Sequence, residues 1–216
     1  MPRYQRQNGI IRIEEFRDNS ITIVGCGAIG SFVAVSLAKM GLTKFTLIDY
    51  DKVEEHNLPN QFFTVHDLEK KKAYSTHEHM DSFNPDVDVK VSDKKFDEKT
   101  KVYTPIVISC VDRMDIRGAI FNACLKAKTQ LFIDCRMAGL QGQVYSVDMA
   151  NKVEIENYKK SLFKDNEAVG LRCTERSIIF TVLGIASLVC NQIIKAFKKE
   201  KMRNYIVLDY SVPQMI

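Results

Sequence analysis

The stretch Gly25-Cys26-Gly27-Ala28-Ile29-Gly30 carries the plainest chemistry in this 216-residue chain. Glycines at its first, third and sixth positions permit a tight turn. They also let the backbone N–H groups around Gly25, Gly27, Ala28, Ile29 and Gly30 approach a phosphate at a helix start. Asp49 follows at roughly the 20-residue interval where a carboxylate meets a ribose hydroxyl. The pattern reads as nucleotide binding, and by itself it serves NAD and ATP equally. Cys173 stands between Arg172 and Arg176 ahead of an expected helix, a setting that favours the thiolate. It reads either as a nucleophile or as an unreactive structural thiol. His77 and His79, two apart on an expected helix, point to different faces. Asp81 is the only further candidate ligand beside them, so no metal site is expected there.

The elements around these residues alternate. Ser20–Val24 predicts a strand, Ile29–Met40 a helix stopped by Gly41, and Lys44–Ile48 a second strand, which together make a βαβ unit. Lys70–Phe83 predicts a helix ending at Asn84-Pro85. Strands are expected at Asp86–Val91 and at Pro105–Val111, the latter a continuous apolar run suited to a central parallel position. Ile116–Ala127 predicts a helix, Leu131–Asp134 and Gln143–Val147 strands, Thr174–Lys199 a long helix and Tyr205–Asp209 a last strand. This order predicts an α/β, Rossmann-like, doubly wound and mostly parallel sheet with helices on both faces, as a single domain over residues 1–216.

Composition narrows the class. The net charge of +4 and the 45% hydrophobic content exclude a disordered chain, and neither nucleic acid nor a membrane is an expected partner. The basic run Lys198, Lys199, Lys201 and Arg203 reads as a solvated helix end. No two of the six cysteines form a C-x-x-C pair, so no zinc is expected. The N-terminus lacks the apolar core of a signal peptide, and the apolar stretch Ile178–Cys190 is shorter than the roughly 20 residues of a membrane span. A cytoplasmic protein is expected.

The segment Asp49-Tyr50-Asp51-Lys52-Val53-Glu54-Glu55-His56-Asn57-Leu58-Pro59-Asn60-Gln61 resembles the D-x-D-x-V-(x)3-N-L-x-R-Q signature of the ThiF–HesA–MoeB family, which includes the adenylation domains of ubiquitin-activating enzymes. Arg3-Tyr4-Gln5-Arg6-Gln7 resembles that family's R-Y-x-R-Q, and Lys72 falls where its phosphate-binding lysine lies. Val111-Asp112 with Arg117 resembles its x-D-(x)4-R element. The resemblance implies ATP-dependent adenylation of the C-terminal carboxylate of a ubiquitin-like or sulfur-carrier protein, or of a peptide. It implies Asp112 as the Mg²⁺ ligand, Lys72 on the phosphates, and Asp49 on the ribose. Asp51, Asn57 and Gln61 are expected to line the nucleotide. Arg6 is expected to act across a homodimer, and Cys173 to accept the acyl group in a later thioester step.

Three departures qualify this. The family arginine is Asn60 here, and Arg136 or Arg117 is expected to replace its charge in part. The four-cysteine zinc site is missing, and 216 residues leave no room for further catalytic domains, so a minimal adenylation unit is expected. Two other readings are a nicotinamide-dependent oxidoreductase on the same glycine turn and a non-catalytic subunit of an activating complex.

Overall fold

The computed structural model describes residues 2–162 and 177–212. Among these residues the sheet has seven strands: β1 (Ser20–Val24), β2 (Lys44–Ile48), β3 (Asp88–Ser92), β4 (Ile106–Ser109), β5 (Leu131–Ala138), β6 (Gln141–Asp148) and β7 (Tyr205–Asp209). Their spatial order is β3-β2-β1-β4-β5-β6-β7. The pairs from β3 through β5 are parallel, while β5–β6 and β6–β7 are antiparallel. The helices are α1 (Ala28–Met40), α2 (Lys72–Phe83), α3 (Met114–Lys126), α4 (Lys152–Lys160) and α5 (Ile179–Phe197).

Residue type explains why the chain divides this way. All four residues of β4 (IVIS) are buried, as a strand flanked on both sides and covered on both faces requires. One core lies where α1, α2 and α5 cover the sheet, around Ile21, Ile23, Leu37, Met80, Ile133 and Val189. The other lies under α3 and α4, around Val107, Phe121, Phe132 and Tyr158. α1 ends at Gly41, which adopts φ 106°. A side chain there would also meet Ile13 at 2.8 Å and the Tyr4 ring at 2.9 Å. Asn84 ends α2 and ties it to α1, donating to the carbonyls of Ala38 at 3.0 Å and Leu42 at 3.2 Å.

α5 is long and apolar enough to cross a bilayer by length and composition. In this fold it instead packs one face, Ile185, Ala186, Val189, Cys190 and Ile193, into the first core.

The structure lengthens the expected β5 and β6 into a hairpin and adds α4, which the sequence reading left out. Asn151 caps α4 by accepting from Val153 N–H at 3.0 Å. Cys26, Cys124, Cys135 and Cys190 are buried free thiols, and burial pushes Cys124 and Cys190 up to about 12.

Candidate active site

β1 connects toward β2 on one side and pairs with β4 on the other, so the strand order reverses between β1 and β4. In an open α/β sheet a crevice for ligand opens at this point, beyond the carboxyl ends of the strands. The glycine turn follows β1 and Asp112 follows β4, so the topology alone places both at the crevice.

The three glycines do different work. Gly25 adopts φ 91°, and a side chain on it would lie 2.7 Å from the Cys110 carbonyl oxygen. A side chain on Gly30 would overlap the Gly25 carbonyl, 3.0 Å from its carbon. Gly27 is open, with Gln61 the nearest group at 3.9 Å. α1 begins at Ala28, so Ala28, Ile29 and Gly30 form its first turn, where N–H groups lack intrahelical acceptors and the dipole favours an anion. Ser31 Oγ donates to Gly27 O at 2.7 Å and accepts from Phe62 N–H at 3.0 Å, binding the turn to the loop that carries Asn57 and Gln61.

Asp49 is buried at the end of β2. Its carboxylate accepts from the N–H of Cys26 at 2.6 Å and of Asp51 at 2.8 Å. Burial raises its pKa despite these bonds. Each oxygen keeps acceptor capacity for a hydroxyl. Lys72, the first residue of α2, is buried, with Nζ 3.4 Å from Asp51 Oδ2. Its neighbour Lys70 faces elsewhere, to Glu78 at 2.9 Å, while Lys71 donates to the Tyr50 carbonyl at 2.6 Å.

Asp112 is exposed and, among the described residues, forms no ion pair. It lies close enough to Tyr50 that Asp51 first, then burial, then Asp112 and Asp49 raise the phenol's pKa. Acids from two connections thus act on one exposed tyrosine, with Arg113 acting the other way. Tyr50 was passed over in the sequence reading; its place between Asp49 and Asp51 was the available signal.

Asn57 is buried and structural in its local bonding, since its Oδ1 accepts from Glu54 N–H at 2.9 Å in a capping box. Gln61 Oε1 and Asn60 Oδ1 are buried without a partner among the described residues, and Asn60 Nδ2 bonds to Ser177 Oγ. Arg6 is exposed on a short helix, Pro2–Gln7, that docks at the far end of α1: Gln7 Nε2 donates to Met40 O at 2.6 Å. Thirteen residues of helix at about 1.5 Å each place that end roughly 20 Å from the glycine turn of the same chain. Cys173 lies outside the described residues. His79 does not join His77 but bonds Asp67 at 2.8 Å.

One expectation is overturned. Neither Arg117 nor Arg136 offers a free cation in place of the arginine missing at Asn60. Both are buried and bonded to Asp134, Arg117 through Nη1 and Arg136 through Nε at 2.8 Å. Arg117 also donates to Cys135 O at 2.7 Å.

A glycine turn at a sheet switch point, with a buried acid bonded to the turn and a buried lysine beside that acid's loop, is the arrangement of a nucleotide-binding α/β domain. The chain belongs to the ThiF family, whose pattern matches residues 5–215. Ubiquitin-like modifier-activating enzyme 5 of Drosophila ananassae is 32% identical over 136 residues, covering 56% of this chain and 34% of that protein. The Aedes aegypti protein of the same name matches with the same identity and coverage, 32% over 136 residues. The chain thus spans about a third of the length of the curated relatives it matches. Among solved structures, Escherichia coli MccB with ATP superposes with a TM-score of 0.80 at 19% identity, covering 97% of this chain and 69% of that one. PaaA superposes at 0.72 with 16% identity, covering 97% and 79%. These likenesses establish the Rossmann-like fold.

Proposed function

We propose that this chain is an ATP-dependent adenylyltransferase that activates the C-terminal carboxylate of a ubiquitin-like or sulfur-carrier protein, or of a peptide. The observation that carries the reading is the convergence of the Gly25–Gly30 turn, Asp49, Lys72 and the unpaired Asp112 on one crevice. Membership of the ThiF family supports it, as do the activating-enzyme relatives and the structures of MccB with ATP and with AMPCPP and MccA.

In the reaction, a carboxylate oxygen of the tail attacks the α-phosphorus. The bond from that phosphorus to the bridging oxygen breaks, and pyrophosphate leaves with the electron pair. The turn's N–H groups and Lys72 offset the phosphate charge, and Asp49 orients the ribose. Mg²⁺ fits the donor set: a hard cation is commonly held by one or two carboxylates plus substrate phosphates, and Asp112 presents an unpaired carboxylate. Bound there, Mg²⁺ would neutralise the charge that develops on the triphosphate.

Arg6 lies too far along α1 to serve its own crevice, which supports a homodimer in which each copy supplies Arg6 to the other. The protein is proposed to act in the cytoplasm. ATP–pyrophosphate exchange tests the reading: exchange that needs a carrier ending in a free glycine carboxylate supports it. NADH binding without exchange overturns it in favour of an oxidoreductase. Cys173 is tested as an acyl acceptor by a thiol-sensitive carrier adduct that disappears in Cys173→Ala.

A second reading, a non-catalytic member of an activating pair, is favoured by one observation. Asn60 is neutral, and the two arginines expected to replace its charge are engaged with Asp134. Tight carrier binding without exchange would select it.

A further inference from the structure

Beneath the connection from β4 to α3 lies a buried charge cluster that touches none of the groups assigned to nucleotide. Asp134, fully buried in β5, accepts from Arg117 of α3 on one oxygen and from Arg136 Nε at 2.8 Å on the other. Arg136 continues to the end of α4, donating to Ser161 O at 3.0 Å and Ser161 Oγ at 2.9 Å, and its guanidinium lies 4.3 Å from the Tyr145 ring centre. The cluster sets two cations against one anion.

Its place relative to Asp112 is specific. Ser109, the last residue of β4, pairs in register with Asp134. Three residues later comes Asp112, and five after that Arg117, whose side chain returns to the sheet to bond Asp134 and Cys135 O. The connection that carries Asp112 is therefore pinned at both ends: by the ladder bond from Cys110 N–H to Val24 O at 2.8 Å, and by Arg117. Asp112 itself has no partner among the described residues to fix it. Among the described residues, the loop sets where its carboxylate stands, and Arg113 within that loop pairs with Asp115 while its carbonyl accepts from Arg117 N–H at 3.1 Å.

We infer that Arg117, clamped by Asp134, is a positioning residue that holds the Asp112 carboxylate where a divalent cation on the nucleotide would meet it. Arg136, on the other side of the same carboxylate, secures Asp134 and the end of α4 rather than the Asp112 loop. The role of Asp112 rests on the adenylation reading; the clamp does not.

Arg117→Lys keeps the charge but replaces the planar fork with a single ammonium that cannot hold the same geometry toward Asp134 and the Cys135 carbonyl. Two measurements on the whole chain test the inference. The first is hydrogen exchange of amides 110–113 without ligand. The second is the affinity of Mn²⁺, read by electron paramagnetic resonance, for the protein–ATP complex. Arg117→Lys is expected to speed exchange at 110–113 and weaken Mn²⁺ about tenfold, the low end of what loss of a group orienting a metal ligand costs. Arg136→Lys is expected to speed exchange in α4 and leave Mn²⁺ affinity unchanged, and Asp134→Asn to reproduce both effects if it folds.

Wild-type exchange at 110–113 in Arg117→Lys overturns the clamp, and wild-type Mn²⁺ affinity overturns its link to the metal. Equal effects of both arginine variants on Mn²⁺ reduce the cluster to general stability and also overturn the inference. Should the wild-type protein bind Mn²⁺·ATP yet adenylate no carrier, the clamp stands and the adenylation reading falls.

Discussion

Around the Gly25–Gly30 turn, charged and polar groups are held in place but not used up; around Asp134 they consume one another. Asp49 is fixed by two backbone N–H groups, Lys72 rests 3.4 Å from one acid, and Asp112 has no partner among the described residues. Asp134, by contrast, is fully buried and shared by two arginines. A carboxylate with bonding capacity left marks where a ligand can bind, and one shared between two arginines marks scaffold, although Arg117 Nε itself has no partner among the described residues. Substitution should therefore separate the regions by what is lost. Asp134→Ala strands two buried cations, and breaking a buried pair this way costs about 3–5 kcal/mol. Asp112→Ala removes an exposed carboxylate and should change stability by less than about 0.5 kcal/mol, while pyrophosphate exchange falls. Urea unfolding beside exchange assays checks both; a destabilised Asp112→Ala would contradict the division.

The same contrast can be drawn inside one tripeptide. Lys72→Met is expected to lower exchange by about 10²–10³-fold, the range for losing one preorganised charge-stabilising group. Lys70→Met removes an exposed pair with Glu78 and is expected to leave exchange intact. Equal losses would mean the lysine run acts as a diffuse positive field. The glycine turn gives a smaller effect. Gly30→Ala drives a methyl into the Gly25 backbone, which cannot yield as a side-chain end would, and overpacking of this kind costs about 1–3 kcal/mol. Gly27→Ala meets nothing closer than Gln61 at 3.9 Å and should leave stability unchanged while weakening nucleotide binding, because only the ligand needs that space.

Local pattern made much of the fold legible. The β-branched run before Gly25 and the helix stop at Gly41 each follow from a few neighbouring residues and stand as expected, while the mostly apolar run expected over Pro105–Val111 forms the shorter β4, Ile106–Ser109. The resemblance also pointed to Asp49 and Lys72, which the fold brings to one edge. What could not be read depends on partners distant in the chain. β5 was expected to end at Asp134, but it runs on to Ala138 and carries both Asp134 and Arg136 into the buried sheet. Arg117, seventeen residues earlier, makes that possible. For the same reason both arginines looked free for phosphate: spacing shows which cations exist, and only packing shows which are already bonded. α4 was missed because its sequence, KVEIENYKK, is mostly charged and buries only Tyr158, although the Asn151 cap was a usable signal.

Acid titration offers the finest test of open against closed, through two buried carboxylates with opposite shifts. For Asp49, burial is the largest influence and the bonds from Asp51 and Cys26 do not overcome it, so its pKa rises above the ordinary 3.8. For Asp67, burial is again the largest single influence, but the Thr64 N–H, His79 and the Thr64 hydroxyl together outweigh it, and its pKa falls below 3.8. The signs follow from proton linkage. Folded Asp49 holds its proton above pH 3.8 where the unfolded chain releases it, so its contribution to stability is complete below that pH and declines as pH rises through the folded value. Asp67 contributes fully above 3.8, and that contribution is lost as pH falls through its lower folded value. Urea unfolding from pH 2.5 to 6 should therefore show Asp67→Asn with a flatter acid limb than wild type, and Asp49→Asn with a stability that no longer declines just above pH 3.8. If the two variants flatten the same limb, hydrogen bonds rather than burial govern both carboxylates, and the raised pKa of Asp49 would have to be abandoned.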